Sequence, residues 1–366
     1  MYKYKHHNAA FSIVTNDIND KKLKSRVEDA ILDVFKGFLA VRSNNIQFSF
    51  VFTDDIQQFM KDIEFVRVGN IKVGKNQTHF KDDELNFLIN HSDPFKVIVN
   101  IIENQTIRSF FPIFNKAFHN NIHHQVGTFY YRVFLLFSQL WNVDNGLSYL
   151  HSSAVSFENK SIIFTADSGV GKSSLLFKLS QQEKFGFMAD DLTIISSESK
   201  VFYQGRSMSI KPYHLQYYPF LMKKLKSLMS VGQKLQWILF RDNRLTYRIS
   251  PHDLFQKVVE SSEIKRVVHL CNHSSSDFEI SDLSEIDFIK YATSILTNEF
   301  FLANHKLNTL ASLPGSSFIN TSVLYKRVSD LYSQAFKDVE IKLVFVPYMS
   351  DPNDLYQFLK SEGCLS

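Results

Sequence analysis

Residues 166–173 read Ala-Asp-Ser-Gly-Val-Gly-Lys-Ser, and no other stretch of the chain restricts its folding as tightly. A loop of this composition turns its backbone N–H groups inward around a phosphate, brings a lysine ammonium to the outer phosphates and offers a serine hydroxyl to Mg²⁺. It works only between a strand and a helix, because the helix start adds further amides and the positive end of its dipole. Both flanks fit. Residues 161–165, Ser-Ile-Ile-Phe-Thr, are the short apolar run of a buried strand, and Leu175, Leu176 and Leu179 fall at helical spacing. The candidate phosphate-binding residues are therefore Asp167, Ser168, Gly169, Val170, Gly171, Lys172, Ser173 and Ser174. Ala166 stands where the motif has glycine. A left-handed backbone there would strain an alanine by roughly 1 kcal/mol.

The second half of a phosphate site is expected at residues 185–191, Phe-Gly-Phe-Met-Ala-Asp-Asp. An apolar strand ending in acids can set carboxylates beside the loop, one to hold Mg²⁺ and another to take a proton from an attacking hydroxyl. On a continuous strand Asp190 and Asp191 would point to opposite faces, so only one would face the nucleotide unless the strand ends between them. A solvated turn is the plainer reading of the pair. Upstream, His151 lies in Leu-His-Ser-Ser-Ala-Val, and residues 158–160, Glu-Asn-Lys, are a turn that would return the chain to the loop strand as a hairpin. If that hairpin forms, His151 sits near the loop end of the sheet; a lone strand histidine is otherwise structural. Arg206 and Lys211, in the final part of the expected strand-rich segment 200–211, are candidates for neutralising a transferred phosphoryl group or are ordinary surface cations. Arg241, Arg244 and Arg248 form a second cluster, read as solvated or as a contact for an acidic partner.

Taken together, residues 150–155, 162–174 and 188–192 resemble the catalytic core of HPr kinase/phosphorylase and its kinase-like relatives. The resemblance covers about residues 147–195. It implies an α/β fold, a P-loop core with a mixed sheet shared with phosphoenolpyruvate carboxykinase, preceded here by an α+β N-terminal module. It implies ATP and Mg²⁺ as cofactors, Lys172 on the phosphates, and Ser173 with Asp191 as metal ligands. It makes Asp190 the base for a serine-type hydroxyl on a protein or peptide, supported by His151 and Asp191; Arg206 joins the candidate catalytic set on its charge alone. Relatives of this kind form oligomers, so a homo-oligomer is expected. Two departures stand out: Ala166, and the absence of the acidic, Gly-rich segment that HPr kinases carry downstream.

The rest of the chain narrows the class. The 366 residues suffice for two domains, expected as 1–125 and 126–366. A net charge of +4 spread along the chain does not make a nucleic-acid face, and the aromatic residues, mostly phenylalanine, are scattered through apolar segments as core. Cys271 and Cys364 are too few and too far apart for a disulfide framework or a zinc site. The N-terminus lacks the apolar stretch of a signal peptide, and no run approaches the roughly 18 apolar residues of a membrane helix. A cytoplasmic protein without membrane or nucleic-acid partners is expected. Strands are predicted at 46–52, 96–102, 266–270 and 341–346, and helices at 22–39, 128–141, 284–302 and 322–336, with a turn at Asn145-Gly146. The chain is thus expected to be a serine kinase of this type. A catalytically silent nucleotide-binding scaffold, motivated by the two departures, and a small-molecule kinase are the alternatives.

Overall fold

The chain has a mixed α/β fold, seen in a computed structural model that describes all residues except 8, 44, 61–65, 69–70, 75, 82–84, 91–94, 103–120, 230, 232–233, 235–245 and 313–317. Arg241 and Arg244 lie outside the described residues. Two compact units divide between Leu135 and Leu136, inside the predicted helix at 128–141. That segment is helical from Asn121 to Asp144, with a π-helical turn over Tyr130–Phe134. Among the described residues no helix is long and apolar enough to cross a membrane.

The first unit is built on an eight-stranded sheet, β1 (Tyr2–His6), β2 (Ala9–Asp17), β3 (Ile46–Thr53), β4 (Val66–Val68), β5 (Ile71–Val73), β6 (Gln77–Lys81), β7 (Asn86–Asn90) and β8 (Phe95–Asn100). Its order is β1-β2-β3-β8-β7-β6-β5-β4, with β3 parallel to both neighbours and the rest antiparallel. Helix Lys21–Val34 starts at Asp20, whose carboxylate accepts from the amides of Lys22 and Leu23 and so caps two of the four otherwise unpaired N–H groups. Its buried residues, Leu23, Val27, Ala30, Ile31 and Val34, repeat at three- and four-residue steps and form one apolar stripe. The core is aromatic. The Phe134 ring lies 4.9 Å from Phe11, 5.4 Å from Phe35 and 5.7 Å from Phe50, in tilted and edge-on arrangements that suit the ring quadrupoles.

The second unit holds β9 (Leu147–Leu150), β10 (Ser152–Phe157), β11 (Lys160–Ala166), β12 (Phe185–Ala189), β13 (Thr193–Ser196), β14 (Lys200–Phe202) and β17 (Ser261–His273) in the order β12-β10-β11-β17-β14-β13-β9. β19 (Glu340–Pro347) adds to β17 in parallel, and β18 (Glu279–Asp282) adds to β19. β15 (Met208–Ile210) and β16 (Tyr247–Ile249) pair separately, so the strand-rich segment at 200–211 divides between two sheets. β10 and β11 form the predicted hairpin, and Glu158 and Asn159 both take positive φ (49° and 66°). That conformation gives a two-residue turn the twist of the strands it joins.

One feature of this sheet decides where the site lies. The chain leaves β9 for β10 through His151 alone, and β12 for β13 through Asp190, Asp191 and Leu192. β9 and β13 stand at one end of the strand order, β10 and β12 at the other, so both crossings join its two ends. The Ser152 amide donates to the Asp191 carbonyl at 3.2 Å, and the Ser152 and Thr193 hydroxyls are 2.7 Å apart. The sheet therefore curls until its ends meet, and His151 and the aspartate pair occupy the seam.

Candidate functional site

The loop has the conformation its sequence calls for. β11 ends at Ala166, helix Lys172–Leu179 begins immediately after Gly171, and Leu175, Leu176, Phe177 and Leu179 are buried beneath it. Gly169 and Gly171 have φ of +90° and +112°, values L-residues rarely adopt, so these two glycines shape the loop. Ala166 is the last residue of the strand, fully buried, paired with Leu270 of β17, and absent from the positive-φ residues. The replaced glycine thus carries no strain. Asp167, Ser168 and Gly169 are exposed at the loop tip, Val170 and Ser174 are buried, and Gly171 and Ser173 are half-buried.

Lys172 is buried, and its ammonium donates to the carbonyls of Ala166 at 2.7 Å and Asp167 at 3.0 Å. Burial pushes its pKa down to about 8, against the pull of Asp190, Glu299 and Asp167. The loop thus keeps a cation that is only partly compensated, which suits it to anionic ligands.

The two aspartates divide their roles because the strand ends between Ala189 and Asp190. Asp190, 4 % exposed, accepts hydrogen bonds on Oδ1 from the hydroxyls of Ser173 at 2.8 Å and Ser153 at 2.9 Å. Asp191 has φ of +72° and turns the other way. Its Oδ2 pairs with the Arg206 guanidinium and its Oδ1 lies 3.8 Å from His151 Nδ1. Of the two residues expected at Mg²⁺, Ser173 gives its hydroxyl to Asp190 and Asp191 pairs with Arg206. Among the described residues no group of three His, Cys, Asp or Glu side chains is arranged to hold a metal ion. What fits a magnesium nucleotide is the strand–loop–helix with its two positive-φ glycines, its buried lysine and a serine hydroxyl beside a carboxylate.

His151 is 4 % exposed, and neither ring nitrogen has a hydrogen-bond partner among the described residues. Burial lowers its pKa to about 3, helped by the charges of Lys172 and Arg206. It is a neutral imidazole at neutral pH. The Arg206 guanidinium pairs with Asp191, and the backbone N–H of Lys211 donates to His214 Nδ1.

Several residues of the site carry no signal in the sequence. Ser153, one step into β10, is recognisable only once the strands pair. His269 of β17 lies in register with Thr165, whose hydroxyl is 2.9 Å from its Nδ1. Glu299, at the end of helix Glu285–Glu299, has Oε1 3.8 Å from His151 Nδ1. Each reaches the site through pairings or packing remote in sequence, so local spacing could not find them.

No protein-family model matches the chain, and no curated protein matches it. Among solved structures it is similar to the Hpr(Ser) kinase/phosphatase from Coxiella burnetii, at 9 % identity over 59 % of this chain and 96 % of that one, with a TM-score of 0.28. An overlap of that depth does not define a shared fold.

Proposed function

We propose that the chain is an ATP- and Mg²⁺-dependent kinase that transfers the γ-phosphoryl group to a serine-type hydroxyl on a protein or peptide. One observation carries the reading: the buried Lys172 and the Ser173–Asp190 hydrogen bond converge at the head of a helix entered through two positive-φ glycines. Phosphoryl transfer asks a protein mainly for positioning and for charge placed where charge develops. The loop amides and Lys172 bind the phosphates, and the Ser173 hydroxyl serves Mg²⁺, which when bound offsets phosphate charge. Both hydrogen bonds to Asp190 fall on Oδ1, leaving Oδ2 to take the proton of the acceptor hydroxyl. Arg206 fixes Asp191, and Asp191 faces His151. The choice of a serine-type hydroxyl follows from the resemblance of the motif residues to HPr-kinase-like proteins.

The test is to incubate the protein with γ-labelled ATP, Mg²⁺ and lysate from its own source beside Lys172→Ala and Asp190→Asn. Asparagine still accepts from Ser173 and Ser153, so Asp190→Asn should keep the fold and bind ATP while transfer falls by about 10²–10⁴-fold, the range of a lost general base. A label that depends on both residues supports the kinase. Undiminished transfer by Asp190→Asn removes that residue as base. ATP binding with no labelled product shifts the reading to a silent nucleotide-binding protein or a small-molecule kinase.

A further inference from the structure

We infer that Tyr348, with Met349 beside it, is the platform on which the base of the bound nucleotide stacks, an assignment that rests on the nucleotide reading given above. The phosphate loop has two sides. On one, β10 carries Ser153 and β12 leads to Asp190, where the proposed transfer takes place. On the other, β17 borders β11 and β19 borders β17, all three parallel, so their carboxyl ends point the same way as the loop. A nucleotide whose terminal phosphate faces Asp190 carries its nucleoside on the side away from the acceptor, toward β17 and β19. The crevice outside the carboxyl ends of parallel strands is where α/β sheets bind such ligands.

The register sets the scale. Ala166, at the start of the loop, pairs with Leu270, and Leu270 with Val344. β17 and β19 then run three residue pairs further, to His273 and Pro347, and the Tyr348 amide donates to the His273 carbonyl at 3.1 Å. At about 4.8 Å between strands and about 3.3 Å per residue, Pro347 stands about 10 Å to the side of Ala166 and about 10 Å beyond it. A nucleoside hung from phosphates on the loop spans that gap. The chain then enters helix Pro352–Ser361, which packs on the loop helix: Leu355 Cδ2 is 3.6 Å from where a Cβ on Gly171 would lie, and the Lys178 ammonium is 5.6 Å from the Tyr356 ring centroid. The turn before that helix is thereby held beside the phosphate loop.

What this turn exposes departs from local rules. Tyr348 is 72 % exposed and Met349 84 %, the most exposed large apolar side chain among the described residues. Scattered single apolar residues are ordinary at a surface, but two in succession at the tip of a turn are not. The Ser350 amide closes the turn on the Pro347 carbonyl at 3.1 Å, and Met349, its third residue, has φ of 62°. Glycine or asparagine is usual at such a position. Breaches of local preference of this kind mark functional positions. A tyrosine ring offers a π-face to any base, and a methionine thioether packs well against aromatic rings.

The experiment titrates wild type, Tyr348→Ala and Tyr348→Trp calorimetrically with MgATP and with magnesium tripolyphosphate, which carries three phosphates and no base. Thermal midpoints are measured in parallel. Tyr348→Ala should weaken MgATP binding roughly 5- to 100-fold, the scale of one lost base–aromatic stack, and leave tripolyphosphate binding and the midpoint unchanged. Tyr348→Trp should bind MgATP at least as tightly as the wild type. Undiminished MgATP binding by Tyr348→Ala, an equal loss for both ligands, a tryptophan variant as weak as the alanine one, or a wild type that binds tripolyphosphate but not MgATP would each overturn the platform while leaving the phosphate site in place. A wild type that binds neither ligand overturns the nucleotide reading itself, and the platform with it.

Discussion

Exchanging alanine and glycine at the two ends of the phosphate loop separates what its motif needs from what it tolerates. In Gly171→Ala the new Cβ would sit 3.6 Å from Leu355 Cδ2, an ordinary contact, so sterics contribute little. The penalty is the backbone: at φ of +112° a residue with a side chain is strained by about 1–3 kcal/mol. In a unit of this size each kcal/mol lowers the melting temperature by roughly 2–4 °C, so a fall of about 2–12 °C is expected. A loop that relaxes to escape the strain should also bind MgATP more weakly. Ala166→Gly is the converse. Ala166 is strand, fully buried and not at positive φ, so glycine brings only backbone entropy and a lost methyl, about 1 kcal/mol of destabilisation, and no gain in nucleotide affinity. Thermal unfolding and titration with MgATP measure both effects. If Gly171→Ala melts and binds like the wild type, or Ala166→Gly binds nucleotide more tightly, the assignment of strain to the helix end of the loop is wrong.

Two further outcomes test the electrostatics and the core. Burial, before any nearby charge, lowers His151 and His214 to about 3 and His269 to about 4, below the ordinary histidine value near 6.5. The unfolded chain therefore takes up protons that the folded unit refuses, and stability present above pH 6.5 is lost as pH falls from there toward 4. Three such groups lose up to about 4 kcal/mol per pH unit, so the urea midpoint of the second unit should drop sharply between pH 7.5 and 5.5; an unchanged midpoint would show these imidazoles to be solvated. In the first unit, Phe134→Ala removes a fully buried ring packed against Phe11, Phe35 and Phe50 and should destabilise by about 3–5 kcal/mol. Thermal unfolding followed by circular dichroism reads this, and a shift of only a degree or two would mean that the aromatic cluster is loosely packed.

Elements with a local cause were legible in the sequence. The strand at 161–165 extends over Lys160–Ala166, the helix at 322–336 over Thr321–Ala335 and the strand at 341–346 over Glu340–Pro347, because period and length are written in successive residues. The turn at Asn145-Gly146 is present, with Gly146 at φ of +69°. The helix expected over 284–302 instead ends at Glu299 and restarts at Phe301, with Phe300 as its cap. Its apolar spacing continues through the break, across which the Asn304 side-chain amide donates to the Thr297 carbonyl at 3.0 Å, a contact that spacing does not announce.

The sequence by itself determined the loop, its lysine and serine, the hairpin that leads to it and the paired acids that follow, since each is a matter of neighbours within a few residues. Tertiary structure decided which acid does what. Asp190 turns to Ser173 and Ser153, whereas Asp191, at φ of +72°, turns to Arg206 and His151, a division that depends on where β12 ends. It also brought in Ser153, His269 and Glu299, which no spacing relates to the loop. The physical reason is the seam: a sheet whose two ends meet places residues in contact by closure, and closure is set by long-range strand pairing that no short stretch of sequence encodes.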